Sequence, residues 1–210
     1  MEFQKVVASR RTVREFENKR VATLLLKKII RDGMLAPSNS HVRKWYFINL
    51  VDRDLRKTLV GPEGENLLKE REVETVIRKT GITDSASQDM YRYAIPKQAS
   101  MILDAAVVLV PVFHQPFPLM EPRERKHLNY FASIWMCIEN MLLSAVEEGI
   151  FGVTYIPNYP EKIKEMLRIP AEFEIACILA MGYPGKNPRM FSPDTINLKE
   201  IIRENYGQNT

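Results

Sequence analysis

The sequence feature that most constrains the fold is an apolar helix predicted over residues 126–148. Its apolar side chains cover more than one face of that helix: Leu128, Phe131, Ile134, Trp135, Ile138, Met141, Leu142, Ala145 and Val146. A helix with more than one apolar face is buried in a folded protein. We therefore expect this helix to lie at the centre of the fold or at a subunit interface, and Gly149 to end it.

The rest of the sequence alternates irregularly between predicted helices and strands. Runs of aliphatic, aromatic and β-branched residues predict strands at 45–51, 105–110, 151–156 and 173–181. Helices are predicted at 2–9, 22–35, 53–60, 161–168 and 198–205. Pro111 is expected to end the strand at 105–110. This order predicts an α+β fold in one domain over residues 1–210, with helices covering a sheet.

Residues 61–98 form the least regular part of the sequence. A helix rich in Glu and Lys is predicted at 65–79. Further along, Met90, Tyr91 and Tyr93 are apolar or aromatic residues among polar neighbours. The segment is either a lid over a pocket or an exposed helical excursion that packs a few aromatic side chains against the core. The sequence favours neither interpretation.

Composition limits the possible functions. The formal net charge is +4 and the basic residues are scattered, so no nucleic-acid partner is expected. No apolar stretch approaches the ~20 residues of a membrane helix, and the first residues lack a signal-peptide pattern, so we expect a cytoplasmic protein without a membrane partner. Cys137 and Cys177 lie in apolar segments and are interpreted as buried thiols of a reducing compartment. His41, His114 and His127 have no carboxylate or cysteine at ligand spacing, so no metal site is expected.

The segment from Arg10 to Arg14 is a candidate anion site. It places Arg10, Arg11, Thr12 and Arg14 within five residues. Guanidinium groups bind phosphate through a planar fork of donors, often with two hydrogen bonds at once. The alternative is a solvated basic surface for which Phe16 serves as an anchor.

A second candidate site is Ala36-Pro37-Ser38-Asn39-Ser40, at the end of the helix predicted for 22–35. A proline stop followed by a new capping residue presents free backbone N–H groups. The alternative is an ordinary junction between two helices.

These two segments, together with Glu148 to Pro157 and Ala180 to Pro184, occur in an order and at distances that resemble the nitroreductase family. The resemblance covers nearly the whole chain. It implies a central mixed, mainly antiparallel sheet flanked by helices, an intertwined homodimer and FMN as cofactor. In that family, the segment resembling Pro37-Ser38-Asn39 reaches across the dimer interface to the flavin of the partner subunit.

The resemblance also implies a set of site residues, although no catalytic side chain is identified. The implied cofactor-binding residues are Arg10, Arg11, Thr12, Arg14, Pro37, Ser38, Asn39, His41, Pro157 and Arg189. Arg14 is the candidate for the positive group near the flavin N1 and C2 carbonyl. Gly152 would let the backbone approach the flavin ring. Residues 186–210 form a C-terminal arm that, in the family, often brings a basic residue to the phosphate, and here Lys186 or Arg189 takes that place.

The function implied is an FMN-dependent oxidoreductase that passes hydride from NAD(P)H to a nitroaromatic, a quinone or an activated alkene. The alternative is a flavin-binding protein without NAD(P)H turnover, acting as a sensor or store, and a non-flavin basic interaction module is a further rival. Two positions depart from the family pattern. His41 stands where asparagine is usual, and Arg43-Lys44 replaces Gln-Pro and is expected to add charge near the pocket mouth.

Overall fold

The computed structural model describes residues 2–64, 70–120, 124–193 and 195–202. The helices are α1 (Phe3–Ser9), α2 (Thr23–Gly33), α3 (Arg53–Gly64), α4 (Glu70–Thr80), α5 (Ser85–Ala94), α6 (Gln98–Asp104), α7 (Asn129–Glu147), α8 (Pro160–Leu167) and α9 (Leu198–Ile201). The strands are β1 (Trp45–Asn49), β2 (Val107–His114), β3 (Phe151–Tyr155), β4 (Phe173–Ile175) and β5 (Ile178–Gly182). Short 3-10 turns occupy Asn39–His41, Ile95–Lys97 and Arg125–Leu128.

The five strands form one sheet with β2 near its centre. The order is β1-β2-β5-β3, and β4 also pairs with β2. Each of these strand pairings is antiparallel. A parallel bridge joins Thr12 to Gly152 of β3. The mixed, mainly antiparallel sheet is therefore confirmed, and its parallel part in the described residues is this single bridge.

The sheet separates two apolar cores, because alternate side chains of β2 point to opposite faces. Leu109 and Phe113 pack with α2 and α7 on one face. Val108 and Val110 pack with α3, α6 and α8 on the other. All four of these side chains are fully buried. An uninterrupted apolar run is the pattern expected of a strand covered on both faces.

The apolar helix lies where the sequence placed it, at the centre of the fold. α7 packs against α2, β2 and β3. Its buried residues are Ser133, Ile134, Cys137, Ile138, Met141, Ser144, Ala145 and Val146. The homodimer stays a prediction, since a single chain is described here. No helix in the described ranges combines the length and hydropathy needed to cross a bilayer.

The expectation that Pro111 ends its strand was wrong. β2 continues through Pro111 to His114, with Pro111 opposite Phe47 of β1. The Pro111 carbonyl accepts a hydrogen bond from the Ala176 N–H (2.9 Å), so the backbone edge of Pro111 faces the junction of β4 and β5. That junction holds one extra residue relative to β2, which is a β-bulge. A proline lacks the N–H of a regular ladder and is accommodated at such a bulge.

Residues 61–98 contain more helix than the sequence indicated. α4 agrees with the predicted helix at 65–79, of which residues 65–69 lie outside the described residues. α5 was not predicted; Asp84 begins it by accepting a hydrogen bond from the Ser87 N–H (2.7 Å). Val73 and Ile77 of α4 form a small core with Ile95, against which Tyr91 packs. Of the helix predicted at 198–205, α9 is described, and residues 203–210 lie outside the described residues.

Candidate functional site

The segment Arg10–Arg14, here called the arginine segment, lies against the edge of the sheet. Thr12 bridges Gly152, and the Val13 N–H donates to the Gly152 carbonyl (3.3 Å). Val13 is fully buried. Phe16 packs on Gly182, where a Cβ would lie 3.0 Å from the Phe16 ring. Phe16 is therefore an anchor, and the arginine side chains project from a fixed, extended backbone.

Two clefts border the arginine segment. One, of about 180 Å³, lies between Arg10, Arg11 and Thr12 on one side and α7 and β3 on the other. The second, of about 300 Å³, is lined by Arg10, Arg11, Thr12, Arg14, Met90, Phe191, Ser192 and Pro193. Three distant parts of the sequence therefore meet there: the arginine segment, residues 61–98 and the C-terminal arm.

The positive charge of the arginine segment is only partly balanced. Arg10 forms an ion pair with Glu139 of α7, with Nε 3.1 Å from Oε1. Arg11 donates from Nη1 to the Arg10 carbonyl (2.6 Å). Within the described residues, neither Arg11 nor Arg14 is paired with a carboxylate. Burial lowers the pKa of Arg14, because removal from water penalises its charge. An anion bound in this cleft would relieve that penalty.

Three buried polar atoms lack a partner in the described part of the chain: Trp135 Nε1, Ser38 Oγ and Gln115 Oε1, of which Gln115 lies outside both clefts. Trp135 lines the cleft between the arginine segment and α7. Buried polar groups are nearly always hydrogen-bonded, so each orphaned atom calls for an explanation. A ligand that offers phosphate and ring acceptors would supply partners of the right kind. The donor set thus fits FMN, the cofactor that the resemblance implies.

Pro37, Ser38, Asn39 and His41 lie elsewhere on the protomer. The Asn39 N–H donates to Ser133 Oγ (3.0 Å), near the start of α7. None of these four lines the clefts of the arginine segment. Such a separation within one protomer agrees with a segment that serves the partner subunit, which stays a prediction.

The backbone of this segment has an unusual conformation. Ser40 and His41 have φ values of 52° and 57°, in the left-handed region. Non-glycine residues adopt that region at a cost of about 1–3 kcal/mol each, and strained residues of this kind cluster at functional sites. The conformation is therefore consistent with a binding role for the segment.

Pro157 and Arg189 lie outside both clefts. Pro157 is buried two residues after β3 ends. Arg189 places its guanidinium carbon 4.5 Å from the Phe191 ring centroid and 5.6 Å from that of Tyr93. Since Phe191 lines the larger cleft, Arg189 lies next to it, and its contact with a phosphate stays a prediction.

Sequence reasoning missed a cluster formed by Glu15, Tyr93 and Lys97, here called the Glu15 cluster. The Tyr93 hydroxyl donates a short hydrogen bond to Glu15 Oε2, and Lys97 Nζ lies 3.0 Å from Oε1. The Tyr93 ring lies 5.6 Å from the Phe191 ring. The cluster therefore joins the arginine segment, residues 61–98 and the C-terminal arm. In the sequence, Tyr93 is an aromatic residue among polar neighbours, which was a signal for a packing role. Nothing in the sequence marked Glu15 as its partner.

The Glu15 cluster shifts the pKa values of its members. The hydrogen bond from Tyr93, followed by that from Lys97, lowers the pKa of Glu15. Burial, followed by the hydrogen bond to Glu15, raises the pKa of Tyr93 to about 12. The ionised carboxylate and the neutral phenol stabilise each other across neutral pH.

The structure adds packing and hydrogen-bond contacts at two positions that the sequence singled out, Gly152 and Arg43. A Cβ on Gly152 would lie 2.8 Å from Leu142 Cδ2, 3.0 Å from Met181 Cγ and 3.2 Å from the Ala180 carbonyl oxygen, so the absence of a side chain here also serves packing against α7 and β5. The Arg43 guanidinium is held by backbone carbonyls, and the charge that Arg43-Lys44 is expected to add near the pocket mouth stays a prediction. Its Nε and Nη2 donate to the Met34 and Ala36 carbonyls (3.1 and 3.0 Å), which lie just beyond the end of α2.

Comparison with known proteins decides the family. A sequence model of the Nitroreductase family matches residues 7–183. The chain belongs to the nitroreductase family. The resemblance seen in the sequence is thereby confirmed, and FMN agrees with this assignment.

Two curated relatives of this nitroreductase-family chain are iodotyrosine deiodinases. That of Nematostella vectensis is 27% identical over 206 residues, which cover 96% of this chain and 74% of the relative. Iodotyrosine deiodinase 1 of Homo sapiens is 26% identical over 188 residues, which cover 88% of this chain and 62% of the relative. The chain therefore spans less than two thirds of the human protein.

Solved structures share the nitroreductase fold. Oxidized iodotyrosine deiodinase bound to FMN and 3-iodo-L-tyrosine has a TM-score of 0.72 at 20% identity, covering 99% of this chain and 100% of that chain. Nitroreductase A from Vibrio parahaemolyticus has a TM-score of 0.71 at 18% identity, covering 100% of this chain and 78% of that chain. The family and these relatives together point to an enzyme of the FMN oxidoreductase type.

Proposed function

We propose that the protein is an FMN-dependent oxidoreductase that takes hydride from NAD(P)H and passes it to a small organic acceptor. The observation that carries the proposal is the cleft of about 300 Å³ in which Arg11 and Arg14 have no carboxylate partner in the described residues. Partly buried cations of this kind favour a bound anion, and the FMN phosphate is one.

The chain's own residues bind and orient the cofactor in this proposal. Arg11 and Thr12, with Arg10 and Arg189 nearby, provide donors for the phosphate. Arg14 supplies positive charge where negative charge accumulates on reduction. When bound, FMN supplies the hydride chemistry itself.

The second half of the proposed site comes from the partner subunit of a homodimer. Pro37, Ser38, Asn39 and His41 would lie against the partner's cofactor. The unpartnered Ser38 Oγ and the left-handed backbone at His41 support this assignment. Pro157, which is buried two residues after β3, would contact the cofactor by packing, since proline has no N–H to donate.

Residues 61–98 act as a lid in this proposal. Met90 lines the larger cleft, and Tyr93 is bound to Glu15 beside the arginine segment. The place of Met90 in the cleft wall supports the lid, whereas the packing of Tyr93 agrees equally with the alternative, an exposed helical excursion that packs a few aromatic side chains against the core. The C-terminal arm contributes Phe191, Ser192 and Pro193 to the wall of the same cleft.

The acceptor is a nitroaromatic, a quinone or an activated alkene, and a second candidate is a halogenated phenol. The second candidate is favoured by the iodotyrosine deiodinases among the relatives and by the deiodinase structure that binds 3-iodo-L-tyrosine. For that acceptor, the reaction is a reductive removal of halide with NAD(P)H as the electron source.

The test begins with the visible absorption spectrum of the purified protein, before and after addition of FMN. NADH and NADPH oxidation is then followed with a quinone, a nitroaromatic and 3-iodotyrosine as acceptors. Arg11→Gln and Arg14→Gln are each expected to weaken FMN binding at least tenfold, since each removes charge-assisted hydrogen bonds. Arg31→Gln on the exposed side of α2 is the matched control and should leave FMN binding unchanged.

Three outcomes decide between the candidates. Flavin absorption with turnover of one acceptor supports the proposal and identifies the acceptor class. Flavin absorption without NAD(P)H oxidation supports the flavin-binding sensor or store instead. A protein that is colourless and takes up no FMN refutes both.

A further inference from the structure

A separate cleft is lined by Phe16 and by the residues that follow it in the chain. Its volume is about 570 Å³, within the range of small-molecule sites. It is lined by Phe16, Glu17, Asn18, Lys19, Arg20, Val51, Arg53, Arg56, Leu103, Asp104, Ala105 and Ala106. None of these residues lines the two clefts of the arginine segment. The proposed flavin chemistry gives this cleft no role.

Positive charge dominates the lining. Lys19 and Arg20 come from the loop before α2, and Arg53 and Arg56 come from the first turns of α3. Within the described ranges, none of the four forms an ion pair, although the carboxylates of two other lining residues are nearby. Lys19 Nζ instead lies 3.7 Å from the centroid of the Tyr183 ring. The cleft thus has an excess of two positive charges.

Arg56 is the fixed element of this cleft. Its side chain is 8% exposed, and Nε and Nη1 donate to the carbonyls of Leu50 (2.6 Å) and Ala105 (2.7 Å). Its Nη2 makes no hydrogen bond with another described residue. Burial, followed by the like charge of Arg53, lowers the pKa of Arg56. A buried guanidinium without a carboxylate is costly unless another anion completes the site.

The backbone N–H groups at the start of α3 do not provide this site. Asp52 Oδ1 already accepts from the N–H groups of Asp54 (2.7 Å) and Leu55 (3.4 Å). Binding would therefore depend on the four cationic side chains. These are three guanidinium groups and one ammonium group, and they come from two chain segments. Such a set of donors suits an anion with several oxygen atoms and at least two charges.

We propose that this cleft binds a small molecule that carries a diphosphate ester. The diphosphate would lie between Arg20, Arg53 and Arg56, and the organic part would pack on Phe16 and Leu103. Small-molecule sites usually combine such an apolar wall with a few well-placed polar groups.

Isothermal titration calorimetry of the full chain, saturated with FMN, tests this proposal with inorganic pyrophosphate and with ADP as probes. Arg53→Gln and Arg20→Gln are suitable variants because both side chains are exposed and their loss leaves the core intact. Lys57→Gln is the matched control, since it removes one charge from α3 outside the cleft. Arg11→Gln tests whether the probe instead enters the arginine segment.

Pyrophosphate is expected to bind saturably, and each of Arg53→Gln and Arg20→Gln is expected to weaken its binding about tenfold. Lys57→Gln and Arg11→Gln should each change it less than about twofold. ADP should bind at least as tightly as pyrophosphate. Absence of saturable binding, equal losses in all four variants, or loss in Arg11→Gln alone would overturn the site. Weaker binding of ADP than of pyrophosphate would overturn the ester as its ligand.

Discussion

The hydrogen bond between Tyr93 and Glu15 allows a quantitative test of how α5 is held beside the arginine segment. The change is a double-mutant cycle with Tyr93→Phe, Glu15→Gln and the combination of both. Tyr93→Phe keeps the ring contact with Phe191 and removes only the hydroxyl. Glu15→Gln keeps the size of the side chain and removes its charge.

The expected coupling free energy follows from the geometry. A hydrogen bond to a charged group contributes about 1.5–3 kcal/mol to stability. Solvent screening reduces that figure, because the Glu15 side chain is 42% exposed. The remaining ion pair with Lys97 reduces it further, because Glu15 keeps this partner when Tyr93 is changed. We therefore expect a coupling of about 1 kcal/mol at pH 7.

The coupling should also depend on pH. The pKa of Glu15 is lowered from its ordinary value of 4.5, so its contribution is present above pH 4.5 and is lost as pH falls through the lowered folded-state value. The pKa of Tyr93 is raised from 10.0 to about 12, so its contribution is present below pH 10 and is lost as pH rises towards 12. Urea unfolding of the four proteins gives the coupling at each pH, and hydrogen exchange of α5 reports whether the loss is local.

The reasoning would be refuted by a coupling below about 0.3 kcal/mol at pH 7, which is the error of additivity for independent sites. It would equally be refuted by a coupling that stays the same at pH 7 and at a pH where Glu15 is protonated. Unchanged hydrogen exchange of α5 in Tyr93→Phe would show that the bond does not hold this helix in place.

Three further predictions concern packing, helix capping and thiol chemistry. Gly152→Ala should destabilise the protein by about 1–3 kcal/mol in urea unfolding, because the added Cβ would press on Leu142, on Met181 and on the Ala180 backbone carbonyl at once; equal midpoints would contradict this. Arg43→Met should cost about 1–3 kcal/mol in the same assay, because it leaves two carbonyls just beyond the end of α2 without donors. Burial raises the pKa of Cys137 to about 12 and also raises that of Cys177, so both thiols should resist iodoacetamide at pH 8 and react only after denaturation, as mass spectrometry of the labelled protein will show.

The sequence predicted those parts of the fold whose signal is local. The buried strands and α7 stand out as apolar runs, and the arginine segment is contained in five residues. α5 carried no such signal, because it is a polar helix that contributes little to the main core. The bond between Glu15 and Tyr93 spans 78 positions, and no pattern in either segment identifies the other.

The site residues were likewise predictable only where their signal is local in the sequence. The arginine segment was recognised from its residues alone, whereas its position beside β3 and its ion pair with Glu139 depend on how the chain packs. Gly152 was singled out for a close approach to the flavin, which stays a prediction, whereas its contact with Leu142 could not be predicted from the sequence. The carbonyl partners of Arg43 could not be predicted, because they come within reach only when the chain turns back after α2.

Pro111 and the bulge opposite it have a consequence for how the sheet assembles. A slip of one residue between β2 and the paired strands β4 and β5 would exchange the side chains of the two cores. It would also move the proline away from the bulge and set it against a regular ladder position that requires an N–H donor. The proline and the bulge therefore favour the same register. Only one alignment of these strands satisfies both, so the sequence itself disfavours pairing of β2 with β4 and β5 in a shifted register.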